Sequence, residues 1–129
     1  MIIFSDIEKA AIYYNGKSVS FTPKEHQFFL IMIQKQGQRL DSEMVIANIW
    51  GDRSDIIVQN NLSQLAFRVR DKLKRAGVPV TICASFKRGC ILKTEKKIFI
   101  LEHRNHFIRI LLDVIQFLFN PTKSQPEKR

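Results

Sequence analysis

The sequence predicts an α+β fold, and three observations carry that prediction. Short apolar runs come first, two of them joined by an Asn-Gly turn. Three helical segments with polar caps and short connections follow. A second pair of strand-like runs then closes on a tip bearing two cations.

The opening runs are Ile2–Phe4, Ala10–Tyr14 and Ser18–Phe21. Tyr14-Asn15-Gly16-Lys17 reads as a two-residue hairpin, because Asn-Gly accepts the positive φ that such a turn demands. A small N-terminal antiparallel sheet is expected. The first helix is announced by Thr22-Pro23-Lys24-Glu25. This is a capping box with proline at the first helical position, and Phe21 precedes it as a hydrophobic staple. Phe28, Phe29, Ile31, Met32 and Ile33 give a wide apolar face, and Gly37 marks the stop. A short second helix starts at Asp41, a good N-cap, and runs through Met44, Val45, Ile46, Ile49 and Trp50 to Gly51. Trp50 is expected to be a core anchor between helices.

The third helix is expected over residues 56–76, after Ser54-Asp55 and before Gly77. Val58, Leu62, Leu65, Val69 and Leu73 fall within one arc of about 80°, a single greasy stripe. The opposite face carries Asn60, Ser63, Gln64, Phe67, Asp71 and Lys74, and the flanks carry Asn61, Arg68, Arg70, Lys72 and Arg75. Amides suit adenine edges, arginine suits guanine edges, and either cation suits phosphates. Val80–Cys83 and Cys90–Leu92 then form a hairpin across Ser85-Phe86-Lys87-Arg88-Gly89. A basic β-tip directly after such a helix can track a phosphate backbone or enter a minor groove. A turn at Phe86-Lys87 would set Cys83 opposite Cys90, so a redox-switched hairpin is conceivable; two reduced, half-buried cysteines are the plainer expectation.

From residue 98 onward the pattern changes. Glu102, Asn105 or His106, Arg109, Asp113, Gln116 and Asn120 make a narrow polar stripe on an otherwise apolar helix expected over 98–120. It could pack on the domain, on a second copy or partner protein, or on a membrane surface. Its apolar run is too short, and with Arg109 and Asp113 too charged, to span a bilayer. Asn120-Pro121 ends it, and a disordered tail is expected over 121–129.

Charge sharpens the reading. The 129 residues carry a net charge of +9, but residues 1–50 hold five basic and five acidic side chains and are neutral. Residues 51–76 contribute +3 and residues 77–97 contribute +4, so the excess sits on the third helix and the hairpin. Clustered excess of this kind is the footprint of a polyanion partner. The N-terminus has neither the basic nor the apolar region of a signal peptide. Cys83 and Cys90 make no zinc signature, and His26, His103 and His106 are too dispersed for a metal site. No nucleotide-binding, hydrolase or metalloprotease motif occurs, so no enzyme, cofactor or small-molecule substrate is expected.

The order of elements and several residues resemble the winged-helix DNA-binding domain of the OmpR/PhoB transcriptional regulators over roughly residues 17–94. Phe21-Thr22-Pro23-Lys24-Glu25 is similar to that family's opening of the first helix. Gly37-Gln38-Arg39-Leu40-Asp41 is similar to the start of its second, and Ile49-Trp50-Gly51 to the end. Asn61-Leu62-Ser63-Gln64-Leu65-Ala66 with Val69-Arg70 and Leu73, and the hairpin Phe86-Lys87-Arg88-Gly89-Cys90-Ile91-Leu92, look closest to the ToxR/CadC branch. Departures are Cys90 for an aromatic residue, His26 at an apolar position, and Phe67 where a small or basic residue is common.

The resemblance implies a winged helix-turn-helix over residues 1–97, followed by the C-terminal amphipathic helix. It implies a cytoplasmic bacterial regulator of transcription, without a receiver domain in the 20 or so residues before the first helix. Its partner would be double-stranded DNA. Asn60, Asn61, Ser63, Gln64, Phe67 and Arg68 would face bases in the major groove. Arg70, Lys72, Lys74, Lys87 and Arg88 would sit on phosphates, with the wing at 85–89 on the backbone or in the minor groove. Residues 98–119 would dimerise the chain, dock a partner or touch the inner membrane peripherally. The alternative is a coregulator that uses the same scaffold to capture another protein through its C-terminal helix.

Overall fold

The computed structural model describes residues 1–57, 59–85 and 87–103. The order is β1 (Ile2–Asp6), β2 (Ala11–Tyr14), β3 (Lys17–Ser20), α1 (Pro23–Gln34), α2 (Ser42–Trp50), a 3₁₀ turn (Gly51–Ile56), α3 (Gln59–Arg75), β4 (Thr81–Ser85), β5 (Gly89–Lys93) and β6 (Phe99–His103). Among the described residues the architecture is α+β, with three α-helices, a four-stranded sheet and a separate β4–β5 hairpin.

Local chemistry accounts for most of these elements. The β2–β3 hairpin turns on Asn15 and Gly16, at φ 50 and 80. The capping box closes as its sequence requires: Glu25 N–H donates to Thr22 Oγ1, and Thr22 N–H donates to Glu25 Oε1. Phe21 stacks on His26, the fourth residue of α1, at 6.2 Å between ring centroids, so the staple forms with a histidine as its second half. Asp41 caps α2 by accepting from Met44 N–H. Helix α3 ends in a Schellman motif: Gly77 N–H donates to Lys74 O and Val78 N–H to Leu73 O. Gly77 takes the left-handed conformation, at φ 74.

One core serves all three helices. It joins Phe28, Phe29 and Met32 of α1, Val45 of α2, and Leu62, Leu65, Val69 and Leu73 of α3 to Ile3, Ile12, Ile82 and Leu92 of the strands. Trp50 is partly buried against it. His26 is buried too, where an apolar residue would be ordinary. Its Nε2 is 2.7 Å from Ser5 Oγ, a buried polar pair joining α1 to β1. Burial holds the His26 pKa below its usual value, against the opposing pull of Glu102 and Asp6.

Three expectations need correction. The third helix starts at Gln59, not 56, because Gly51–Ile56 winds as a 3₁₀ turn and Ile57 is extended. Second, the segment expected to be helical from residue 98 begins as a strand. Phe99–His103 pairs in parallel with Ile2–Asp6 at the edge of the sheet, in strand order β3-β2-β1-β6. The folded unit therefore extends past residue 97, and Ile98 is itself buried. The rest of the expected C-terminal helix and the tail, from Arg104, lie outside the described residues.

Third, Cys83 and Cys90 do not face each other. Cys83 pairs with Ile91 and Ala84 with Cys90, so the two thiols project to opposite faces of the hairpin, one exposed and one buried. A disulfide between them cannot close in this register.

Candidate nucleic-acid interface

Helix α3 displays what its periodicity predicts. Leu62, Leu65, Ala66, Val69 and Leu73 are buried, while Asn60, Asn61, Ser63, Gln64, Phe67 and Arg68 are exposed. Phe67 is 59% exposed, a large ring standing in water amid polar side chains. Val58 and the side chain of Gln59 are outside the described set.

The cations divide by what they already hold. Arg68 Nε donates to Glu25 Oε2 at 3.0 Å, with its side chain still 50% exposed. Lys72 Nζ donates to Glu25 Oε1 at 2.6 Å and to Ser20 O at 3.0 Å. Arg70 Nη1 donates to Ile82 O of β4 at 3.0 Å. Arg68 and Lys72 thus face α1, and Arg70 faces the wing. Lys74 is exposed on α3, and Lys87 and Arg88 are exposed at the hairpin tip. Lys72, expected on a phosphate, lies only partly exposed and is tied into the protein.

Glu25 is the hub of this arrangement. It is almost fully buried and accepts from Thr22 N–H, Lys72 and Arg68. Burial alone would push its pKa up. The hydrogen bonds from Lys72, Thr22 N–H and Arg68 outweigh that and hold it below the usual carboxylate value. One carboxylate therefore caps α1 and locks the flank of α3 to it. The capping box betrays the first role in the sequence. The second was signalled only by two cations, Arg68 and Lys72, one helical turn apart on one flank of α3.

The wing is set by different means. Leu40, between α1 and α2, exchanges two backbone hydrogen bonds with Cys90 of β5, at 2.7 and 2.8 Å. Ser42 Oγ donates to Ser85 O, and Arg39 Nη1 donates to Arg88 O, fixing both sides of the tip. Gly89 sits at φ +86, and a Cβ there would run into the Leu40 carbonyl. Only glycine fits. Sequence reading found the tip cations but not these anchors, since each depends on a partner some 43–50 residues away.

Among the described residues no three His, Cys, Asp or Glu side chains gather as metal ligands, and no helix is long and apolar enough to cross a membrane.

Comparison with solved structures places this arrangement. The DNA-binding domain of E. coli CadC superposes with a TM-score of 0.56 at 27% identity, covering 67% of this chain and 81% of that one. The chain has an OmpR/PhoB-type winged-helix fold. Two further structures share this winged-helix architecture. The C-terminal domain of the nisin resistance regulator NsrR, a lantibiotic response regulator, gives 0.57 at 23% identity over 68% and 89% of the chains. The DNA-binding domain of the response regulator AdeR, solved with an intercistronic region, gives 0.60 at 14% identity over 71% and 94%. No protein-family model and no curated protein matches the sequence.

Proposed function

We propose that this protein is a sequence-specific, double-stranded-DNA-binding regulator of transcription, not an enzyme. The observation that carries the reading is the exposed amide and hydroxyl face of α3, edged by cations and set beside a basic wing tip. The winged-helix neighbours include domains described as DNA-binding, from CadC and AdeR.

In this reading α3 enters the major groove. Asn60, Asn61, Ser63, Gln64 and Phe67 meet base edges or the thymine methyl. Arg68 joins them with the guanidinium nitrogens that its Glu25 pairing leaves over. Lys74, Lys87 and Arg88 meet phosphates directly. Arg70 and Lys72 add charge near the backbone while serving as struts.

Fluorescence titration against duplexes selected from a random pool tests this. Arg68→Ala is expected to relax discrimination by about 1–3 kcal/mol at its base pair. Lys87→Ala is expected to weaken all duplexes alike and lower the logarithmic salt slope by about 0.9. Binding that is absent, or indifferent to salt, would sink the reading.

A further inference from the structure

The four-stranded sheet has two faces of different character. Ile3, Ser5, Ile12 and Val19 point inward, toward α1 and the core. Ile2 and Phe4 of β1, Tyr13 of β2, and Phe99 and Leu101 of β6 point the other way and are 37–55% exposed. Register makes them neighbours: Ile2 is opposite Phe99, and Phe4 lies between Leu101 and Tyr13. The result is a contiguous apolar surface across three strands, far from α3 in sequence and unused by the proposed DNA contacts.

We propose that residues 107–119 of this same chain cover that surface as a helix folded back over the sheet. Ten of those thirteen residues are apolar; Arg109, Asp113 and Gln116 share one side at three- and four-residue spacing. The chain leaves β6 at His103, opposite Asp6, at one end of the patch. Residues 104–106 can span up to about 10 Å, the spacing of packed layers. A 13-residue helix is about 20 Å long and about 10–12 Å wide. The five-residue strands are about 17 Å long, and the three strands lie about 10 Å apart from first to last. One helix therefore covers the face from end to end, with its polar stripe outward.

A second copy fits the surface less well. A patch of about 17 by 10–15 Å offers a few hundred Å², whereas a stable dimer interface takes about 800 Å² from each partner. The occupant that matches in size, chemistry and tether length is the segment joined to β6.

Proximity in the full chain tests the proposal, in a Cys83→Ser background that leaves only buried Cys90. Tyr13→Cys paired with Leu111→Cys, and Phe99→Cys paired with Leu118→Cys, are oxidised at low protein concentration. The expected product is an intrachain disulfide whose yield is unchanged by dilution. Maleimide labelling of the single Tyr13→Cys variant is expected to run about tenfold or more slower than labelling of Cys83 in the unsubstituted chain, as protection by a docked element requires. Ile2→Cys, on the same face, replaces Tyr13→Cys if that variant does not fold. Cross-links formed only between differently tagged chains would overturn the proposal in favour of a second copy. Protection that appears only with anionic phospholipid vesicles would overturn it in favour of a membrane surface. Labelling as fast as Cys83 under every condition would overturn it outright.

Discussion

The inner flank of α3 and the root of the wing hold neighbouring parts of one candidate interface by unlike forces. At the flank, a buried carboxylate gathers two cations and a backbone N–H. At the root, two backbone hydrogen bonds and a glycine let two segments touch where no side chain would fit. The first anchor depends on charge state, and so on pH and salt. The second rests on neutral backbone hydrogen bonds and a close fit at Gly89, which do not titrate. The contrast teaches that pH and salt act on the flank of α3 more than on the root of the wing.

The largest expected effect breaks the shape-based anchor. Gly89→Ala places a methyl group against the Leu40 carbonyl and puts alanine at φ +86. Strain and overpacking together should cost about 3 kcal/mol, read as a lowered urea midpoint with unchanged slope. Gly16→Ala is the control: φ is similarly positive, at +80, but the space around it is open. About 1 kcal/mol is expected there, from backbone strain alone. Equal losses at the two sites would show that the Leu40–Cys90 contact adds nothing.

Breaking the charged anchor should cost less. Glu25→Gln keeps the shape but removes the anion that Lys72 and Arg68 share. The two cations are 35% and 50% exposed and can turn to water, so neither is stranded in the interior. About 2 kcal/mol is expected, from the loss of hydrogen bonds to a charged acceptor. DNA discrimination by Arg68 should fall with it, because the guanidinium loses its fixed orientation. A Glu25→Gln variant with native stability and native selectivity would show that the flank is held by apolar packing alone.

Acid should expose the charged anchor without mutation, apart from a second titrating group, the buried His26 that pairs with Ser5. The folded pKa of Glu25 lies below its ordinary value of 4.5, so its contribution is fully present above that pH and is lost as pH falls through the folded pKa. His26 is also depressed, below 6.5, but it is neutral when buried. Its penalty therefore appears earlier, as pH falls through about 6.5 and the unfolded chain takes up the proton first. Stability measured from pH 8 to pH 3.5 should decline in two stages. His26→Gln should flatten the upper stage and Glu25→Gln the lower. A single stage removed by neither variant would overturn both assignments.

Much of this fold was legible in the sequence because its signals are local. The Asn15-Gly16 turn, the Thr22 capping box, the Asp41 cap and the Gly77 stop each act within four residues of their own position. The exposed face of α3 follows from periodicity in the same way. What stayed hidden is non-local. The polar stripe at three- and four-residue spacing begins at Glu102, inside the strand, so Phe99–His103 reads as the start of the helix, and nothing in those residues announces parallel pairing with Ile2–Asp6. Glu25 looked complete as a capping residue, so its pairing with a helix 43–47 residues away went unmarked. The hairpin shares Cys90 with a third segment, since Leu40 bridges it from outside, and the cysteines sit one position out of the alignment that a turn at Phe86-Lys87 would give.

Those cysteines give the smallest expected effect and a sensitive check on the wing's register. Cys90 is fully buried beside Leu40, and burial pushes its thiol up to about 11. Cys83, on the opposite face, is exposed. Cys83→Ser should therefore change stability by less than about 0.5 kcal/mol, the range of ordinary surface substitutions. Cys90→Ser should cost about 1–2 kcal/mol, because it buries a hydroxyl where the thiol is fully buried with Ser42 as its hydrogen-bond neighbour. Thiol reagents near neutral pH should modify Cys83 and spare Cys90, which has neither access nor thiolate. Mild oxidation should leave wing and DNA affinity unchanged, since the two sulfurs lie on opposite faces of the ladder. An intrachain Cys83–Cys90 disulfide found by mass spectrometry would mean that β5 had slipped by one residue. That slip would carry Gly89 away from Leu40, so the same measurement tests whether the wing root is as rigid as its contacts imply.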